Sequence, residues 1–166
     1  MTAHPTRRFF RRLRGDKGTS LVEAALITPL LLLLTFSIVD FGVLFYVYLA
    51  LENGVSQATR FAVTGNLLDD PTKPGTKLSR EESIKLAMRQ ATPTLTIDDA
   101  AFTFSHMPEG GAGWTGGSAG GPNELAKVSI DYTWKLFNPM LWAFFSGGKI
   151  TLTVGSAMKN EGAPPS

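Results

Sequence analysis

The side chains best suited to proton transfer or ion binding in this 166-residue chain are two histidines, two adjacent aspartate pairs and an isolated glutamate. His4 and His106 stand on opposite sides of a long apolar run. A bilayer crossed by that run would keep them apart, so neither a two-histidine metal site nor a histidine relay could form. Asp69-Asp70 and Asp98-Asp99 are neighbours in sequence, and on an extended chain neighbouring side chains point to opposite faces, which suits turns better than a shared proton. The chain has no cysteine, which removes thiol chemistry, cysteine metal sites and disulfides. The pattern predicts a protein that is not an enzyme and that holds no cofactor and no metal.

Glu23 poses a different problem. It lies five residues past Gly18 at the entrance to the apolar run, where a plain anchor gains nothing from an acid. Two roles are open. The carboxylate could reach the cytoplasmic headgroups from a helix end, or it could pair with a cation that appears only on processing. Cutting the chain after Gly18 would give Thr19 a free α-amine. A Glu23–amine pair about 4 Å apart would be worth about 4 kcal/mol at an effective dielectric of about 20. That is comparable with the few kcal/mol needed to bury the acid. The amine could belong to the same chain or to a neighbour, and only the second makes a polymer contact.

These residues must be positioned by the apolar run itself, which has Leu21 near its start and Leu51 at its end. No charge occurs between Ala24 and Val39. The run is long enough for a helix to cross a hydrocarbon core of roughly 30 Å. The membrane helix is therefore expected over residues 21–51, capped at Thr19 or Ser20, with a bend or loosened turn at Pro29. Asp40 would sit near the outer headgroups, where a carboxylate is cheap to place. Six cations before Thr19 stand against Asp16, a net charge of +5, while the whole chain carries +2. That basic leader orients the helix with its N-terminus in the cytoplasm and its bulk outside. Beside a span it reads as topology and anionic-lipid contact, with no nucleic-acid partner. Thr6-Arg7-Arg8-Phe9-Phe10 opens like a twin-arginine export signal, but Arg11 follows and no small-residue cleavage site closes the apolar run.

Past the span, Leu51, Val55, Ala58 and Ala62 continue an apolar stripe at helical spacing, ending near Gly65. The chain thus divides into a leader (1–18), the helix with its amphipathic extension (19–65) and an outer domain (66–166). Ser79 and Glu82 form a capping box before a short helix whose Ile84, Ala87, Met88 and Ala91 share a face. Period-two alternation marks strands at Phe102 and Phe104, from Val128 to Leu136, and from Ile150 to Val154, with a short candidate from Leu95 to Ile97. The two helices should cover one face of this sheet, giving an α+β fold of three to four antiparallel strands. GGAGWTGGSAGG, residues 110–121, lacks the ending of a phosphate-binding loop and reads as a flexible connection. LFNPMLWAFF, residues 136–145, reads as packing beneath the sheet in preference to an exposed patch.

Lys17-Gly18 followed by Thr19-Ser20-Leu21-Val22-Glu23 resembles a type IV prepilin cleavage site. The longer pattern through Ala24-Ala25-Leu26, Pro29, Asp40-Phe41-Gly42 and Ala58-Thr59-Arg60-Phe61-Ala62-Val63 resembles the TadE-like pilins of the tight-adherence (Flp) pilus system. The resemblance implies cleavage between Gly18 and Thr19 by a prepilin peptidase and retention in the bacterial inner membrane. It also implies partnership with other pilins and inner-membrane assembly proteins in building an adhesive fibre, with Glu23 read in processing or assembly. The alternatives are an uncleaved single-pass protein whose outer domain binds a partner, and a soluble protein released after signal cleavage.

Overall fold

The computed structural model describes residues 16–161, with only the backbone described at Asp16 and Lys17. The rest of the basic leader, with His4 and the twin-arginine-like stretch, lies outside the described residues. Helix α1 runs from Asp16 to Val63, 48 residues. It starts before the expected caps at Thr19 and Ser20, because a single glycine costs only about 1 kcal/mol within a helix and Gly18 is the sole breaker in that turn. The helix also continues through Pro29. Two polar side chains in its apolar half, Thr35 and Ser37, donate to the carbonyls of Leu31 and Leu33 at 2.8 and 2.6 Å. Their hydroxyls are thus satisfied without water. Gly65 ends the helix, with a left-handed φ of 65° and its amide 3.2 Å from the carbonyl of Ala62.

Helix α2, Arg80–Ala91, starts on the expected Ser79 cap, whose hydroxyl accepts from the Glu82 amide at 3.2 Å. The reciprocal half of the capping box is not made, since the Glu82 carboxylate pairs with Lys85 at 2.6 Å. Four antiparallel strands follow: β1 (Phe102–Met107), β2 (Thr115–Gly116), β3 (Leu125–Lys135) and β4 (Lys149–Lys159), in the order β2-β1-β3-β4. Ile130, Tyr132 and Trp134 lie opposite Val154, Leu152 and Ile150, so the alternating apolar positions of β3 and β4 meet on one face. Leu95 to Ile97 is not a strand. The Arg89 guanidinium donates twice to the Ile97 carbonyl, at 3.1 and 3.0 Å, and occupies the acceptor that a ladder would need.

The core joins Val47, Leu51, Val55, Ala58 and Ala62 of α1 to Ile84 and Met88 of α2 and to Phe104, Val128, Ile130 and Val154 of the sheet. Helix α1 lies on β3 and β4, and α2 packs along α1. The long helix is thus the main cover of the sheet. Gly54 permits the close approach of the two helices, since a Cβ there would lie 2.5 Å from Thr92 Cγ2 and 2.6 Å from Met88 Sδ. Gly54→Leu should destabilise the outer domain by about 1–3 kcal/mol through overpacking, despite the better helix propensity of leucine. Denaturant unfolding in detergent checks this, and an unchanged midpoint would mean that the two helices can separate freely.

The glycine-rich loop is pinned, contrary to the flexible connection expected from its composition. Its β2 segment pairs with β1, and Ala119 is fully buried. Asn160 donates to the carbonyls of Ala119 and Gly121 at 3.1 and 2.8 Å. Arg80 donates to the carbonyl of Gly120 and, at 2.9 Å, to that of Ala62. Burial pushes the Arg80 guanidinium pKa down. The amide of Glu161 reaches the Val63 carbonyl at 3.1 Å, so the end of β4, the glycine loop and the end of α1 are tied at one point.

Candidate membrane and assembly site

The surface of α1 changes abruptly at Asp40. From Leu21 to Val39 every large apolar side chain except Leu33 is exposed. From Asp40 onward one face of the helix is covered by the outer domain, with Val47, Leu51 and Val55 buried. The bare portion, residues 18–39, is about 33 Å long at 1.5 Å per residue. That matches a bilayer core of roughly 30 Å. Helix formation satisfies the backbone, and only the apolar side chains need a solvent other than water.

Asp40 is not a solvated headgroup acid. It is 1% exposed, and its two carboxylate oxygens accept the backbone amides of Phe137 and Asn138, each at 2.8 Å. Such charge-assisted bonds replace the water that a buried carboxylate would otherwise lose. The amides belong to the connection between β3 and β4, where residues 139–143 form a short 3₁₀ turn (Pro139–Ala143). Asn138 caps that turn by accepting the Met140 amide at 3.0 Å. Phe145 meets Phe41 of α1 edge to face at 6.3 Å, so the connection grips the helix at two adjacent positions.

The apolar stretch 136–145 is therefore not packed beneath the sheet as expected. Leu136 and Leu141 turn inward, while Phe137, Met140, Trp142 and Phe144 remain on the surface. The amides of Phe137 and Asn138 must reach Asp40, and this draws the stretch to the end of the sheet and against α1. A local signal existed in the sequence. A carboxylate within an apolar run requires partners, and the turn dipeptide Asn138-Pro139 marks a place where amides leave the ladder.

The proposed processing residues lie at the other end of the bare helix. Glu23 is exposed there, one turn beyond Thr19. Gly18 lies within the first turn, and a Cβ built on it would meet nothing within 4 Å, so the fold itself places no steric demand for glycine. Among the described residues, no group of three or more histidine, aspartate or glutamate side chains is arranged to hold a metal.

A bare apolar helix of bilayer length, rooted in a small α+β domain, defines a single-pass membrane-anchored protein. The family model described as TadE-like protein matches residues 18–60, so that stretch is similar to TadE-like proteins. The matched stretch covers the bare helix, Asp40 and most of the stripe that packs on the sheet. The match supports an association of this stretch with Tad pili. No curated protein and no solved structure matches it.

Proposed function

We propose that this protein is a minor pilin of a Tad pilus, cut between Gly18 and Thr19 by a prepilin peptidase and used in assembly of an adhesive fibre. The observation that carries the reading is a family match that begins at Gly18, a glycine that no packing contact requires. Glycine there suits a peptidase that binds an extended backbone without side-chain obstruction. The first turn of α1 must unwind to be cut, a small step at a helix end that frays readily.

In this reading the leader, residues 1–18, stays in the cytoplasm, residues 19–65 cross the inner membrane and extend from it, and residues 66–166 form the outer domain. The span of residues 21–51 then has a lower part in lipid and an upper part on the sheet. Other pilins, inner-membrane assembly proteins, the peptidase and lipid are its partners. Glu23 is the contact for a neighbouring subunit, joined to the α-amine of Thr19. The continuity of α1 through Gly18 to Asp16 favours one other reading, an uncleaved single-pass protein with an outer binding domain.

Processing separates the two. With the peptidase present, the membrane-bound product should begin at Thr19 by mass spectrometry, and Gly18→Leu should accumulate at full length. A wild-type product that keeps its leader in cells with a working peptidase would establish the uncleaved anchor.

A further inference from the structure

We infer that the connection between β3 and β4 is a second membrane-contacting element, a wedge formed by residues 137–145 that seats the outer domain in the outer leaflet. The inference rests on α1 crossing the bilayer. Phe137 and Phe144 are 67% and 75% exposed, and Met140 and Trp142 join them in a patch that water would solvate poorly. The patch is continuous with the bare helix. Met140 shares a groove of about 550 Å³ with Pro29 and Leu32 of α1. Leu32 lies eight residues from Asp40 toward the cytoplasmic end, about 12 Å along the axis. If Asp40 marks the outer edge of the hydrocarbon, the wedge reaches below that edge.

Its polar groups fit that depth except for the Asn138 Nδ2 amide, which is buried without a hydrogen-bond partner. Asp40 takes the Phe137 and Asn138 amides, the 3₁₀ turn and its Asn138 cap take others, and the Trp142 indole donates to the Leu136 carbonyl at 3.0 Å. Non-helical backbone is tolerated at such depth only when its groups are satisfied by protein. Lys135 and Lys149 are cross-strand partners at the base of β3 and β4, and the Lys135 ammonium lies 5.1 Å from the Trp142 ring centroid. A lysine over the Trp142 ring, a second lysine paired with it across the strands, and an apolar tip match the order of charge, interface and hydrocarbon in an anionic leaflet. The chemistry that fits the surface is therefore phospholipid, with anionic headgroups against the lysines and acyl chains against Phe137, Met140 and Phe144.

The chain has no cysteine, so single sites can be labelled in the full-length protein. Phe144→Cys, Leu34→Cys and Thr72→Cys would each carry an environment-sensitive fluorophore in vesicles of phosphatidylcholine and phosphatidylglycerol. The Leu34 and Phe144 labels should both shift to the blue and be quenched by brominated acyl chains, while the Thr72 label stays in water. A quenched Leu34 label with a wet Phe144 label would overturn the wedge and leave the span intact. If both were wet, the spanning reading would fall as well. A Phe144 label wet in vesicles but shielded in isolated pili would assign the surface to a neighbouring subunit instead. Lys135→Gln with Lys149→Gln should reduce Phe144 quenching in the anionic vesicles and leave it unchanged in pure phosphatidylcholine. An equal response in both would overturn the headgroup contact.

Discussion

Asp40→Ala is expected to detach the connection between β3 and β4 from the long helix and to destabilise the outer domain by about 2–5 kcal/mol. The substitution removes the acceptor for two amides, at Phe137 and Asn138, and leaves both without partners beside an apolar helix. Each unsatisfied donor costs about 1–3 kcal/mol. The helix itself becomes more apolar, so insertion should be unimpaired and the loss should fall on the domain. Total stabilities of about 5–15 kcal/mol make this a large fraction. Denaturant unfolding in detergent and amide hydrogen exchange at Phe137 and Asn138 would measure it. Asp40→Asn, which keeps one good acceptor, should lie between the wild type and Asp40→Ala. Wild-type midpoints and protected amides in Asp40→Ala would show that the two bonds do not hold the connection in place.

Glu23→Ala carries the other large expected effect, on association. Glu23 lies in the bare apolar part of α1, and its removal should leave membrane insertion unchanged or easier. If Glu23 meets the α-amine of a processed neighbour, the mutant strands that amine in a low-dielectric contact. The penalty of several kcal/mol corresponds to more than about a hundredfold in association. The mutant should be membrane-bound, and cleaved where the peptidase does not itself read the acid. It should nevertheless be poorly recovered with other pilins after crosslinking and defective in fibre formation. Normal fibres with wild-type recovery of partner pilins would leave Glu23 an ordinary helix-end acid.

Much of the fold was legible because its periodicities are long and unbroken. The stripe Leu51, Val55, Ala58 and Ala62 is buried as its spacing predicts, and the alternation from Val128 to Trp134 falls within β3. What stayed hidden depends on contacts distant in sequence. Asp40 finds its partners 97 and 98 residues away, and the local signals at the two ends, a carboxylate in an apolar run and the Asn138-Pro139 turn, do not say that they meet. The role of Gly54 depends on Met88 and Thr92 of another element. Composition read the glycine-rich loop as mobile because it registers backbone freedom and not the Arg80 and Asn160 side chains that remove it. The stretch 136–145 was misplaced for a related reason. Apolar content says that a segment avoids water, but not whether it does so beneath a sheet or against a membrane helix. At Gly18, Thr19 and Glu23 the motif was readable, while the event that would give it meaning is a covalent change outside the folded chain.

The tie at the far end of α1 has a mechanical consequence. The helix is fastened to its domain near Asp40 and again near Ala62 and Val63, through the Arg80 guanidinium and the Glu161 amide. These fastenings are about 33 Å apart along the axis. Between them lies the packed stripe from Val47 to Ala62. A pull directed along the helix from its membrane end loads this whole length in shear, so the contacts must yield together, whereas a pull across the axis could peel them one at a time. The architecture therefore has a stiff direction, and it is the axis of the helix that joins the domain to the membrane.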